Sequence, residues 1–345
     1  MRCQASSIQP ISVAFGVLVV HMWLASARAQ VAVAWRDPSP HEVRWTTVDS
    51  SIRLEVLDWR GSGTPLVLIA CYVTAHSYDD FAPHLTNQVH GYGITRRGIG
   101  ASDKPATGYS VQRSADDLLE TLDALNLQKI VLVGTSCAGQ IQTLFAAQHS
   151  DRLSALVYFD GASDPTITGA DVNPQMPSLN TLPRSARSPA IDRSSFAAFR
   201  LSRQRQEGMA FPEAEWRQEF AQNPDGTVGE SLMSLPIRRA ITVDARMKPD
   251  FAKIRVPVLA LYQAQRPFDD VASQYDIRNE QERAALRQEY ESTNALYARW
   301  KHDLLAAVPT ARVVELVGAN VYMFASNQDD ELRQIRAFAA TLPRP

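Results

Sequence analysis

The run Val131-Leu132-Val133-Gly134-Thr135-Ser136-Cys137-Ala138-Gly139 places one serine between an unbroken apolar stretch and a segment of helical character. Short apolar runs of this kind suit strands buried on both faces of a parallel sheet. A serine at a strand-to-helix turn, flanked by small residues, has a strained backbone that lifts its hydroxyl out of the sheet. The helix N-terminus behind it favours developing negative charge. That is a setting for nucleophilic attack on a carbonyl, and the spacing is G-x-S-x-G with Ala138 in place of the last glycine. A plain strand-to-helix turn needs small residues too, so the spacing alone leaves both readings open.

The elements that must position Ser136 follow from periodicity. Alternation over 43–49 and 52–59 predicts two strands joined by a tight turn, and PLVLIAC (65–71) predicts a strand buried on both faces. A fourth strand and turn fall at 90–98. Leu118, Leu119, Leu122 and Leu125 share one face of a helix over 111–125. KIVLVGTS (129–136), a helix to about His149 and LSALVYFD (153–160) continue the alternation. It stops at Gly161. Residues 161–255 are rich in Pro, Ser, Arg and Met and too long for an unstructured loop, which predicts an inserted helical cap. VPVLALYQ (256–263), a long helix from Asn279 to Ala307, ARVVELV (311–317) and a helix near 330–342 complete the chain. The fold class is therefore α/β: a mostly parallel, doubly wound sheet of about eight strands, with core at 30–160 and 256–345.

In this order, with Arg97-Gly98-Ile99-Gly100-Ala101-Ser102 after the fourth strand, the sequence resembles the α/β-hydrolase superfamily over roughly residues 43–342. The resemblance implies that Ser136 is a nucleophile, that a carboxylate follows a late strand and that a histidine follows the last one. The chain departs from that pattern twice. Gly318-Ala319-Asn320-Val321-Tyr322 occupies the histidine loop, with Val321 at the base position, and the usual acid falls near Arg266, with Asp269 and Asp270 close by. A hydroxyl needs a base at neutral pH, and valine accepts no proton. Substitutes are His76, on the loop after the third strand, as base, and Asp160, at the end of the sixth strand, as acid. Each has a structural reading: helix capping or packing for His76, backbone hydrogen bonding for Asp160. His302 reads as a solvated helix residue. The oxyanion donors implied are the N–H of Cys137 and one from Cys71 or Tyr72.

Three functions remain: a hydrolase of a small ester, amide or lactone; a pseudo-hydrolase that binds a small apolar ligand; and a lyase or other non-hydrolytic chemistry on the same fold. The partner expected is a small-molecule substrate or ligand under the cap. Met176, Phe196 and Trp216 either line that pocket or form the cap's own core.

The 345 residues carry a formal net charge of -2, with 45% hydrophobic and 21% charged residues. This gives no reason to invoke nucleic acid. No Cys/His cluster has metal-ligand spacing, so neither metal nor cofactor is expected. Arg2, the apolar stretch 11–25 and Ala27-Arg28-Ala29 predict a cleaved export signal over 1–29, a periplasmic or secreted protein, and no stable membrane span after cleavage. Of Cys3, Cys71 and Cys137, cleavage leaves the last two. The resemblance sets their strands side by side, which leaves a disulfide or two small buried thiols.

Overall fold

The computed structural model describes residues 35–185, 190–208, 210–244 and 246–342. The predicted export segment lies outside them. Among the described residues no helix is long and apolar enough to cross a membrane.

Within the compact unit 38–345, eight strands form one sheet: β1 (Glu42–Val48), β2 (Ile52–Gly61), β3 (Thr64–Ile69), β4 (Val89–Ile94), β5 (Ile130–Thr135), β6 (Leu153–Phe159), β7 (Val258–Gln263) and β8 (Arg312–Leu316). Their spatial order is β1-β2-β4-β3-β5-β6-β7-β8. The first two strands pair antiparallel, β2 meets β4 antiparallel, and every junction from β4 to β8 is parallel. Strands β3, β5, β6 and β7 read as mainly apolar runs because helices cover both faces. Val131, Val133 and Val157 face one apolar cluster, while Leu132, Leu156 and Tyr158 face the other.

Helix α1 (Val111–Ala124) buries Val111, Ala115, Leu118 and Leu122 and is capped by the Ser110 hydroxyl, which accepts from the Arg113 N–H. Helix α2 (Ala138–Gln148) packs against β5 and β6. The approach is so close that a Cβ at Gly139 would overlap the Gly161 carbonyl, and one at Gly134 would overlap the Gln142 side chain. At 139 glycine is a packing requirement, because the neighbour is backbone; at 134 the neighbour is the end of the Gln142 side chain. Beyond β6, helices α3 (Phe196–Glu207), α4 (Glu213–Glu219) and α5 (Leu235–Asp244) fill the inserted segment. It is not wholly helical: 220–222 pairs with 228–231, and Arg184–Ser185 pairs with Tyr275–Asp276. Phe196 and Trp216 are buried in the main core, so neither is a cleft residue. Helix α6 (Glu280–Ala307) is capped by Asn279, and α7 (Gln328–Ala339) closes the fold.

Candidate active site

The parallel strands end at a common edge, and there a cleft of about 410 Å³ opens. Open α/β sheets bind ligands outside the carboxyl ends of their strands. Ser136 lines this cleft between β5 and α2, and its backbone is left-handed, with φ 56°. Non-glycine residues are rarely held there; strain of this kind persists only where surrounding structure over-determines it. Here the Ser136 N–H donates to the Phe159 carbonyl at 2.9 Å, and the Ser136 carbonyl accepts from the Gly139 N–H at 2.9 Å.

Asp160 lines the same cleft one residue beyond β6, also with positive φ, at 51°. Thr135 and Phe159 are register partners on β5 and β6, so the two strained residues leave adjoining strand ends together. Tyr297 Oη donates to Asp160 Oδ2 at 3.0 Å and Gln263 Nε2 donates to the same oxygen at 2.9 Å. The other oxygen, Oδ1, takes only a long contact of 3.4 Å from the Gln263 N–H. Burial raises the Asp160 carboxyl above the ordinary range, and the hydrogen bonds from Tyr297 and Gln263 pull it partly back. The Tyr297 hydroxyl is raised as well, first by burial and then by Asp160 beside it.

Gln263 and Tyr297 were not legible as site residues. Gln263 is the last residue of β7, and Tyr297 and Trp300, three apart on α6, present one helix face to the cleft. The acid expected near Arg266 does not reach the cleft. Arg266 is exposed, and Asp269, also exposed, accepts from Arg283. Val321 does line the cleft, at the turn after β8. His76 does not. Its Nδ1 lies 3.1 Å from Asp79 Oδ2 and its Nε2 lies 3.4 Å from Glu55 Oε1, with the side chain buried, so the geometry removes it as the base for Ser136. The reason is local. Thr74 caps a short helical turn, accepting from the His76 N–H, and that turn carries the imidazole toward β2. His302 is exposed, and no histidine lines the cleft among the described residues.

Cys71 and Cys137 are joined by a disulfide, with Cα atoms 5.2 Å apart. Cys71 lies two residues past the end of β3, not inside the strand as PLVLIAC suggested, and is fully buried. Tyr72 and Cys137 line the cleft with Thr242 and Arg246 of the inserted segment, and the Tyr72 and Thr242 hydroxyls are 2.8 Å apart. The N–H of Cys137 lies at the first turn of α2, where backbone donors have no partner within the helix. The polar side chains of the 97–102 turn are structural. Arg97 grips Asp117 through two hydrogen bonds of 2.5 and 2.6 Å, and Ser102 donates to the Thr95 carbonyl.

A model of the alpha/beta hydrolase fold family matches residues 64–293. Among characterised sequences, a 2-(acetamidomethylene)succinate hydrolase of Mesorhizobium japonicum is 31% identical over 103 residues, covering 29% of this chain and 37% of the relative. A putative carbamate hydrolase of Caulobacter segnis is 33% identical over 124 residues, 34% of this chain and 46% of the relative. The matched stretches thus span well under two thirds of these relatives. Among solved structures, an E-2-(acetamidomethylene)succinate hydrolase superposes with a TM-score of 0.61 at 19% identity, covering 87% of this chain and 100% of its own. A probable hydrolytic enzyme of Pseudomonas aeruginosa gives 0.59 at 15% identity over 88% of this chain and 96% of its own. At such identities the structures speak to fold alone, whereas the family match covers most of the sheet, the Ser136 turn and the inserted segment: the chain belongs to the alpha/beta hydrolase fold family.

Proposed function

We propose that this protein is a hydrolase of a small ester, amide or lactone, with Ser136 as nucleophile and Asp160 as the group that takes its proton. The observation that carries the reading is the pairing of two strained residues on adjoining strand ends in one cleft, one a hydroxyl and one a carboxylate. Ser136 Oγ attacks the substrate carbonyl carbon while its proton passes to Asp160. The N–H groups of Cys137 and Tyr72 face the resulting oxyanion. Collapse breaks the bond to the leaving group, which takes the proton back from Asp160. Water then hydrolyses the acyl-serine by the same proton path. Burial suits Asp160 to this role, since a carboxylate with a raised pKa is a stronger base than an ordinary one. With no imidazole in the cleft among the described residues to relay the proton, turnover is expected to be slow. Several relatives are hydrolases by name, which supports the reaction class. Residues 161–255 act as the cap, with Thr242 and Arg246 bordering the cleft. The export reading of residues 1–29 agrees with a disulfide, which persists in oxidising compartments.

The test is labelling by a fluorophosphonate probe, with the modified residue mapped by mass spectrometry. Labelling at Ser136, abolished in Ser136→Ala, is the expected result. No labelling of a folded sample would overturn the hydrolytic reading. A second reading, a binding protein that has lost its base, is favoured by one observation: Val321 lines the cleft at the expected base position and no histidine replaces it among the described residues. It predicts ligand binding that survives Ser136→Ala without turnover.

A further inference from the structure

We propose that the Cys71–Cys137 disulfide is a positioning device for the oxyanion pocket, tying together the two backbone segments whose N–H groups face the developing negative charge. The inference rests on the hydrolytic reading of the cleft but makes a separate claim about the chain. The ladder between β3 and β5 runs only as far as the partners Ile69 and Gly134. Beyond it no ladder pairs them, and one backbone runs into the loop 70–74 and the other into the Ser136 turn. The disulfide bridges them there, immediately after Ser136 on one side and immediately before Tyr72 on the other.

The loop so anchored is held at two further points. Arg96, buried, donates through Nη1 to the Cys71 carbonyl at 3.3 Å and through Nη2 to Ser114 Oγ at 3.1 Å. That carbonyl belongs to the same peptide unit as the Tyr72 N–H. In a trans peptide the two point in opposite directions, so the cation that holds the carbonyl turns the Tyr72 N–H away from itself. Two residues on, the Thr74 N–H donates to both carboxylate oxygens of Glu215, at 3.0 and 3.1 Å, and the Thr74 hydroxyl donates to the same group. Glu215 comes from α4 in the inserted segment and is fully buried. A covalent bond, a cation and a buried carboxyl group therefore fix four consecutive residues, with the proposed donor at Tyr72 among them. Oxyanion stabilisation depends on donors placed before the charge develops, so loosening one segment relative to the other should slow acylation more than it weakens binding.

The device can be opened without changing the sequence. A dithiol reagent attacks the disulfide, the sulfur–sulfur bond breaks, both cysteines leave as thiols, and the reagent closes to its own cyclic disulfide, so two electrons and two protons balance. The experiment follows the full mature chain in three forms: oxidised, reduced, and Cys71→Ala/Cys137→Ala, which keeps both backbone N–H groups. Three quantities are read: the rate of fluorophosphonate labelling, the KM-against-kcat split on a small ester, and amide hydrogen exchange in 70–74 and 136–139. The expected result is labelling and kcat lower by about tenfold or more, short of the 10²–10³ that removal of a whole donor costs. KM should stay within about twofold, exchange should rise in both segments together, and reoxidation should restore the reduced form. Unchanged labelling in a folded, reduced protein would overturn the proposal and leave the disulfide a staple for stability only. Should the oxidised protein not label at all, the hydrolytic reading fails, and the exchange measurement still decides this one: no coupled rise in the two segments means no clamp.

Discussion

Two groups of acid–base side chains share this molecule, and the one richer in residues of catalytic type is the one away from the cleft. In the cleft, Ser136 and Asp160 are partly open, with Gln263 and Tyr297 behind the carboxylate and no imidazole among the described residues. Away from the cleft lining, His41 Nδ1 lies 2.7 Å from Asp79 Oδ1, the Trp59 indole donates to the same oxygen at 2.8 Å, and His76 bridges Asp79 and Glu55. His76 is 4% exposed and Asp79 3%. A histidine against a carboxylate is half of a proton relay when it faces substrate. Sealed, the same pair cross-links β2, the loop after β3 and the chain leading into β1. Residue type cannot separate the two cases. Backbone strain at a strand end, and a cleft in front of it, can.

Breaking the cleft side should give the largest effect. Ser136→Ala is expected to lower kcat/KM by about 10³-fold or more, less than the roughly 10⁶ that removing the nucleophile of an efficient triad costs, because the starting rate is slow. Asp160→Asn should lower it with little change in thermal stability, because the amide still fits between Tyr297 and Gln263. The wild-type rate should also rise with pH through the raised pKa of Asp160, placing the acid limb above the ordinary carboxylate range. A pH profile flat down to pH 4 would remove Asp160 as base.

The covalent tie comes next in size, this time in stability. The bridged residues are 66 apart in sequence. On the chain-entropy account a loop of that length is worth about 4 kcal/mol. Chemical denaturation of Cys71→Ala/Cys137→Ala against the oxidised wild type measures it. The sealed cluster should show the reverse of Ser136→Ala. Asp79→Ala leaves His41, His76 and Trp59 facing a missing acceptor, with an expected loss of about 3 kcal/mol. Fluorophosphonate labelling of the folded fraction should be unaffected. A fall in labelling that exceeds the fall in folded protein would mean that the two groups are coupled and the contrast between them false.

The fold was legible because the information is local. Unbroken apolar runs marked β3, β5, β6 and β7, and the elements between them alternate as a parallel sheet requires. The Ser136 turn was legible for the same reason, since the small residues that flank the serine stand beside it in sequence. What was not legible depends on direction. Nothing in Thr74-Ala75-His76 says that a single cap hydrogen bond turns the imidazole away from the cleft. Nothing in ALYQ says that the glutamine at the end of β7 reaches a carboxylate on β6, and Tyr297 lies 137 residues from the Asp160 it supports. Glu215, which holds the oxyanion loop from the inserted segment, was invisible for the same reason. Burial pushes its carboxyl up to about 8.

Val321→His restores the expected residue type at the turn after β8. The expected gain in esterase rate is about tenfold, or roughly 1.4 kcal/mol, if Asp160 can be shared between an imidazole and its present partners. No gain, with the histidine seen to be solvated, would show that Gln263 and Tyr297 already occupy the acid.

The smallest effect concerns a buried acid that belongs to neither group. Glu331, on α7, is fully buried, and neither carboxylate oxygen has a hydrogen-bond partner among the described residues. Asp79 and Glu215 are buried with donors around them; Glu331 is buried without. Burial alone raises its pKa well above the ordinary 4.5, so the folded state keeps a proton that the unfolded chain gives up. Stability from this group is therefore full below pH 4.5 and is lost as pH rises toward the folded value. Glu331→Gln removes the titration and keeps the shape. At pH 5 variant and wild type should unfold at nearly the same denaturant concentration, and at pH 8 the variant should be the more stable, because only the wild type must hold a proton against solution or bury an unmatched charge. Identical pH dependence in the two proteins would mean that the Glu331 carboxylate is matched on ionisation by donors or solvent reaching it, and that its burial does not separate it from Asp79 and Asp160.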